Sequence, residues 1–215
     1  RKRSFEERYE ARIHLRGEMV FRDRNWHDLL NVLVWLTFPR AKAALNARHF
    51  EALEAQHAAG AANRGPAQDA LTLFDEGGVI VASRDKKLLG LLAEWRWKEL
   101  FWSNRAQLPA RMRFLLFGHA LYEKALRPFL GITGRGVLLD VEPELLAGPP
   151  GRALSEIDSR LAATLSDSRN LAAARELAVV PILGVPGWHP DNEREGFYDD
   201  QDYFRPGRVR DTRNT

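Results

Sequence analysis

Three histidines stand beside polar residues at spacings that could support acid–base chemistry. In NWHDLLNVLVWLTFP, Asn25 to Pro39, His27 and Asn31 are spaced i, i+4 in a segment otherwise as apolar as a core helix. That spacing sets the two side chains ~5–6 Å apart at Cβ on one helix face. The amide could fix the imidazole tautomer, or the pair could orient a ligand. The spacing recurs in FGHALYEKAL, where His119 and Glu123 could present two ligands to a divalent metal or a base with its orienting carboxylate. Asn46 and His49 in LNARH, at i, i+3, again share a face. Asp28 and Trp26 flank His27, and Asp75 and Glu76 precede Gly77. Arg40, Lys42, Lys124 and Arg127 supply cations that suit a phosphate or carboxylate group. The candidates are His27, Asp28, Asn31, His49, Asp75, His119, Glu123 and Lys124 for catalysis, and Arg40, Lys42 and Trp26 for substrate contact. His119, Glu123 and His49 are the candidates for a divalent metal.

Each candidate also has a plainer reading. Asp28 suits the first turn of a helix for electrostatic reasons alone, and His27 could simply satisfy the helix start. His119 and Glu123 could form an ordinary buried hydrogen bond. The cations could be solvated helix-surface groups, and Asp75 and Glu76 could be turn residues beside glycine. Several chemistries lack their motif altogether. There is no Cys for a thiol nucleophile, no GxSxG elbow, no HExxH or CxxC pattern, and neither a Walker loop nor a GxGxxG opening a helix.

The elements that would position these groups can be read from periodicity. YEARIHLRG alternates apolar and polar residues and suggests a strand, with His14 on its polar side. A helix should run from the cap Asn25 to Pro39, and a second through RAKAALNARHFEALEAQHA. LTLFDEGGVIVAS reads as a hairpin with Asp75 and Glu76 at its tip. DKKLLGLLAEWRWKELFW and ARMRFLLFGHALYEKALRPF read as two long helices, the first with Trp95, Phe101 and Trp102 on a core stripe and Trp97 on another face. Gly131 to Gly136 reads as a loop, VLLDV as a short strand, EPELLAGPPGR as a flexible excursion, SEIDSRLAATL as a helix and LAVVPILGVP as an extended run. The irregular segment from Gly187 to Pro206 carries Trp188, Phe197, Tyr198 and Phe204, rings enough to pin it across the body. The expected fold is a helix-rich α+β single domain over residues 1–207, with a small antiparallel sheet built from the N-terminal strand, the hairpin and the later strands, and a frayed tail over 208–215.

Composition bounds the function. The 215 residues are 45% hydrophobic and 28% charged, ordinary for one folded domain. A net charge of +3 lacks the dense basic surface of a dedicated nucleic-acid binder, so no such partner is expected. No apolar run reaches the ~18–20 residues of a membrane span. No signal-peptide pattern opens the chain, which begins at Arg1 rather than Met, and the absence of Cys is compatible with a reducing cytoplasm.

Five blocks, NWHDLLNVLVWLTFPRAKAALNARH, ALTLFDEGGVIVAS, WKELFW, FGHALYEKALRP and PGWHPDN with FYDDQDYFRP, resemble in order the signature blocks of the bacterial family catalogued as domain of unknown function 3025. The resemblance covers nearly the whole chain and implies a single bacterial domain of this size; it implies no activity, cofactor or fold. The residues themselves lead to the expectation of a cytoplasmic hydrolase or transferase acting on a small polar or anionic substrate through a His/carboxylate site, with or without a divalent metal. The alternative is a non-catalytic binding or scaffolding protein with buried polar networks. Oligomeric state is left open.

Overall fold

The computed structural model describes residues 4–60 and 63–207. Its elements, in chain order, are α1 (Tyr9–Arg16), α2 (Trp26–Thr37), α3 (Pro39–Ala58), α4 (Pro66–Gly77), β1 (Gly78–Ser83), α5 (Lys86–Ala93), α6 (Leu108–Arg111), β2 (Met112–Leu116), α7 (His119–Ala125), β3 (Thr133–Asp140), α8 (Pro143–Ala147), α9 (Pro150–Ser166) and β4 (Ala178–Pro181). The fold is helix-rich α+β. Its sheet has strand order β2-β1-β3-β4 and is mixed rather than wholly antiparallel, because β1 and β3 run parallel while both edge pairs are antiparallel.

β1 reads GVIVAS and is buried along its whole length, as a central strand must be. Its alternate side chains enter two cores. Ile80 and Ala82 meet Phe38, Leu45 and Phe74 together with Leu161 and Leu165 of α9. Val79 and Val81 meet Leu88, Leu92, Phe101, Tyr198 and Phe204 on the other face. Helices α3, α4 and α9 thus cover one side of the sheet, and α5 with the C-terminal segment covers the other. Asp158 of α9 ties two elements together by accepting from the backbone N–H groups of Arg40 and Ala41 at 3.1 and 2.8 Å, a carboxylate capping the start of α3.

Several sequence expectations are corrected. YEARIHLR is helix α1, not a strand: Tyr9 and Ile13 are also i, i+4 neighbours, and Gly17 closes the helix at φ 65 with its N–H bonded to the Ile13 carbonyl. The sheet therefore contains no N-terminal strand. LTLFDEGG is the end of α4, opened by Pro66, so Gly77-Gly78 joins a helix to a strand instead of turning a hairpin. The run through RFLLFGHALYEKAL splits at Phe117-Gly118 into β2 and α7, since an unbroken apolar run carries no periodicity to separate strand from helix. The helix over WRWKELFW is interrupted. Trp95 takes a left-handed φ of 61, and a π-helical turn over Glu99–Ser103 follows, which shifts the helical phase. Trp97 is consequently buried, donating from Nε1 to the Arg205 carbonyl at 2.8 Å, while Trp95 and Trp102 are only half-buried. EPELLAGPPGR forms α8 and the first turn of α9, and β3 begins within the expected glycine loop.

The Gly187 to Pro206 segment is packed as expected, but by Tyr198, Tyr203 and Phe204, with Phe197 half-buried and Trp188 exposed. The expected frayed tail over 208–215 lies outside the described residues.

Candidate active site

Gly118 and Gly78 make the site possible. The N–H groups of Phe117 and Gly118 both donate to the Gly78 carbonyl at 2.9 Å. A Cβ at Gly118 would stand 2.3 Å from Gly78 N and 2.4 Å from Glu76 O, so only glycine permits this crossing. The crossing sets His119, the first residue of α7, beside the last turn of α4, where Asp75 lies. Opposite, the Asn25 side chain caps α2 by accepting from the Asp28 N–H at 3.0 Å. From that start His27, Asn31 and Trp35 follow at steps of four along one face. On α3, Lys42, Asn46 and His49 form a second row. These rows, with Tyr9 and Glu10 of α1 and Thr72 of α4, wall a cavity of about 290 Å³.

Four side chains make a continuous line along its wall. Glu123 Oε2 lies 3.2 Å from His27 Nδ1, His27 Nε2 lies 3.0 Å from His119 Nε2, and His119 Nδ1 lies 3.9 Å from Asp75 Oδ2. The two imidazoles meet edge to face, ring centroids 4.4 Å apart. A nitrogen–nitrogen contact of 3.0 Å requires one ring to donate and the other to accept. A carboxylate accepts, so the tautomer that satisfies both contacts has His27 donating from Nδ1 to Glu123 and His119 donating from Nε2 to His27. That leaves His119 Nδ1 without a proton, and it is the buried side-chain nitrogen that finds no hydrogen-bond partner among the described residues.

Burial pushes the His119 imidazole below its usual range, opposed by Asp75 and reinforced by Lys42 and His27. Burial also acts to raise the Asp75 carboxyl, yet Lys42, followed by His119 and His49, outweighs it and holds the group below the ordinary carboxylate range. Lys42 is buried, bonded to Asp75 and, at 2.9 Å, to Asn31 Oδ1. Its ammonium lies 5.5 and 5.8 Å from the ring centroids of Trp35 and Phe117. Asn31 in turn donates to the Tyr9 hydroxyl at 2.7 Å, and burial pushes that phenol upward. His49 is likewise lowered by burial.

The structure therefore gathers His27, Asp28, Asn31, Lys42, His49, Asp75 and His119 around one cavity, with Glu123 bonded to His27 at its edge. The pairings differ from those the spacing suggests. Glu123 bonds to His27 across two helices rather than to His119 on its own, and Asn31 bonds to Lys42 and Tyr9 rather than to His27. Asp28 is held by Arg22, which donates from Nε and Nη2 at 2.8 and 2.7 Å. Asp75 sits in the final turn of α4 and not at a hairpin tip. Two substrate-contact candidates, Trp26 and Arg40, and the catalytic candidate Lys124 fall elsewhere. Trp26 and Lys124 are exposed outside the cavity wall, and Arg40 turns to Ser155 and Asp158. Among the described residues no three His, Asp or Glu side chains converge as a metal-ligand set, so His119, Glu123 and His49 are not assembled into one. Tyr9, Glu10, Arg22, Trp35, Arg64 and Thr72 join the wall without having been singled out. For Tyr9 and Glu10 the helical i, i+4 relation of Tyr9 to Ile13 was the available signal.

No helix among the described residues is long and apolar enough to cross a membrane. Over residues 1–208 the chain matches the family described as "Protein of unknown function (DUF3025)". No curated protein and no solved structure matches it.

Proposed function

We propose that this chain, which belongs to the DUF3025 family, is an acid–base enzyme of hydrolase or transferase type acting on a small polar ligand in the cavity walled by α1 to α4 and α7. One observation carries the reading: two histidines share a proton across a 3.0 Å Nε2–Nε2 contact and lie in line between two carboxylates. A pair serving only to fill a core would not need a carboxylate at each end, and histidine titrates in the range where general acids and bases work.

A ligand hydroxyl or a water donates its proton to Asp75, which passes it to His119 Nδ1 once the 3.9 Å gap tightens on binding. His119 releases its Nε2 proton to His27 Nε2, and His27 releases its Nδ1 proton to Glu123, which is exposed and gives it to solvent. Each imidazole begins and ends neutral with its tautomer exchanged, and the ligand has lost one proton. The same line run backwards delivers a proton to a leaving group. Lys42, itself bonded to Asn31, holds Asp75 in place and favours its ionised form.

A turnover screen tests this. Wild type, His27→Gln and His119→Gln are incubated with pooled phosphate esters, carboxylic esters, amides and small acceptor alcohols, and products are followed by proton NMR. Turnover by wild type that falls by about 100-fold or more in both folded variants is expected, the lower range of general acid–base contributions. Turnover that persists in both variants would remove the relay from the mechanism. Destabilisation with no wild-type turnover would return the pair to the structural network expected of a scaffolding protein.

A further inference from the structure

The charges left over around the cavity carry more than the relay does. Three cations and four acidic side chains line it: Arg22, Lys42 and Arg64 against Glu10, Asp28, Asp75 and Glu76. Two pairs cancel internally, because Arg22 grips Asp28 and Lys42 is bonded to Asp75. Arg64, Glu10 and Glu76 remain, and none of them has an ion-pair partner within 4.0 Å among the described residues, although their neighbours are dense in charge. Glu10, His49 and Arg64 all line the cavity, Arg64 from an exposed position; burial dominates at the His49 ring, followed by Asp75, and Glu10 raises while Arg64 lowers its proton affinity. Asn46 fixes this end by donating to the Glu10 carbonyl at 3.1 Å. A second observation marks the cavity as built for a ligand: His119 Nδ1, a buried nitrogen in its wall, lacks a hydrogen-bond partner among the described residues.

A purely anionic ligand would gain Arg64 and be repelled by Glu10 and Glu76; a purely cationic one would meet the reverse. A molecule carrying both charges satisfies the open guanidinium and an open carboxylate at once. We infer, on the basis of the acid–base reading above, that the cavity binds a small zwitterion, its ammonium held by Glu10 and its carboxylate or phosphate by Arg64 across His49. This narrows the small polar or anionic substrate expected from sequence. Of the cations named for an anionic group, Lys42 is ion-paired within the wall, Arg40 turns to α9, and Lys124 and Arg127 are exposed outside the cavity wall. A cavity of about 290 Å³ is at the small end of ligand sites and suits a compact molecule.

Calorimetric titration with singly and doubly charged probes decides it. The probes are a series of ω-amino acids from glycine to 6-aminohexanoate, 2-aminoethyl phosphate, and the matched carboxylates, alkyl phosphates and alkylamines that carry one charge. One zwitterion is expected to bind at least about tenfold more tightly than both of its singly charged counterparts, a difference of ~1.4 kcal/mol. Whether it is an amino acid or the aminoalkyl phosphate identifies the oxyanion. Glu10→Gln and Arg64→Gln should each bring the affinity down to that of a singly charged probe, while Lys124→Gln, exposed outside the cavity wall, should leave binding in place. Tight zwitterion binding by a wild type that turns over no substrate would support the ligand class and end the relay. Equal affinity for a singly charged probe, indifference to Glu10→Gln and Arg64→Gln, or no binding across the whole series would overturn the zwitterion site.

Discussion

Replacing Lys42 by Met tests the electrostatic base of the site most directly. Met nearly matches the length of the Lys stem, so packing against Trp35 and Phe117 changes little. The substitution removes two charge-assisted hydrogen bonds, to Asp75 and to Asn31, each worth ~1.5–3 kcal/mol, and two cation–ring contacts of about 0.5–1 kcal/mol. Against this stands the several kcal/mol spent in stripping water from an ammonium that is 3% exposed. The sum of the lost contacts is therefore nearly offset, and the net effect is set by the stranded Asp75 carboxylate. Breaking one side of a buried pair costs ~3–5 kcal/mol, and the residual exposure of Asp75 places this case near the lower value. The pH dependence follows from the same carboxyl. In the native protein it is held below its ordinary value, so its stabilisation is fully present above the unfolded pKa of about 3.9 and is lost as pH falls through the depressed folded value. In Lys42→Met the folded value rises above the unfolded one, so the penalty is greatest at pH 7 and shrinks as acid protonates the group. Urea denaturation at pH 7 and 4.5 should show a loss of ~3 kcal/mol that diminishes at the lower pH, and Asp75→Asn added to Lys42→Met should recover about 2 kcal/mol. A loss below ~1 kcal/mol at pH 7, or one of equal size at both pH values, would refute this account of the pair.

A double-mutant cycle of His27→Ala and His119→Ala should give a stability coupling of ~1–2 kcal/mol from their shared hydrogen bond and edge-to-face rings, whereas the cycle between His119→Ala and Glu123→Gln should give under ~0.5 kcal/mol. Gly118→Ala should lose more than ~3 kcal/mol in the same denaturation assay, because the added methyl meets backbone of Gly78 and Glu76 rather than a yielding side chain. In the C-terminal segment, Tyr198→Ala should cost ~3–5 kcal/mol, since its ring is buried and its hydroxyl donates to the Gly184 carbonyl at 3.0 Å. Exposed Trp188→Ala should cost less than ~1 kcal/mol.

The parts of the fold that were legible are those with local start signals and good helix formers. Helix α2 announces itself through the Asn25 cap and its stop at Pro39, and α3 through Pro39 in its first turn and a long run rich in Ala, Leu and Glu. The failures have two causes. In α1, eight residues are too few to separate an alternating pattern from a helical one, and the left-handed Gly17 was the signal to weigh. At Gly77-Gly78 and at Phe117-Gly118, a helix and a strand meet in opposite orders, the first behind the acidic pair Asp75-Glu76 that mimics a hairpin tip, and each junction is set by the other. Gly78 accepts from the chain at Gly118, a tertiary contact that no local pattern encodes. The site shares this limit. His27, Asn31, His119 and Glu123 are conspicuous in the sequence as polar groups on apolar helices, and the structure brings His27, Asn31 and His119 to one cavity with Glu123 bonded to His27. Their i, i+4 spacing then suggested partners on the same helix, when the packing of α2 against α7 pairs them across it. Lys42 was assigned to substrate because a buried partner at Asp75, thirty-three residues away, is invisible until α3 and α4 are brought together.

The line from Glu123 to Lys42 also has a direction, which follows from exposure. The Glu123 and His27 side chains are 48% and 36% exposed, while those of His119 and Lys42 are 5% and 3% exposed. Protons exchange with water at the Glu123 end, where a charged carboxylate is well solvated. At the other end burial acts to raise the Asp75 carboxyl, and Lys42, more than His119 and His49, holds it below its ordinary range. His119, between the two, is kept neutral by burial, so a proton arriving there is held weakly and moves on to His27 or back to Asp75. Neutrality at His119 therefore depends on both the glycine crossing that buries it and the ammonium that neutralises its neighbour. Removing Lys42 would leave Asp75 as an uncompensated anion 3.9 Å from His119 Nδ1, raise the proton affinity of that ring and trap the proton midway. In the proposed relay the structural pair and the proton line are one device: the ion pair that holds α3 to α4 would also be what lets the histidines pass a proton instead of storing it.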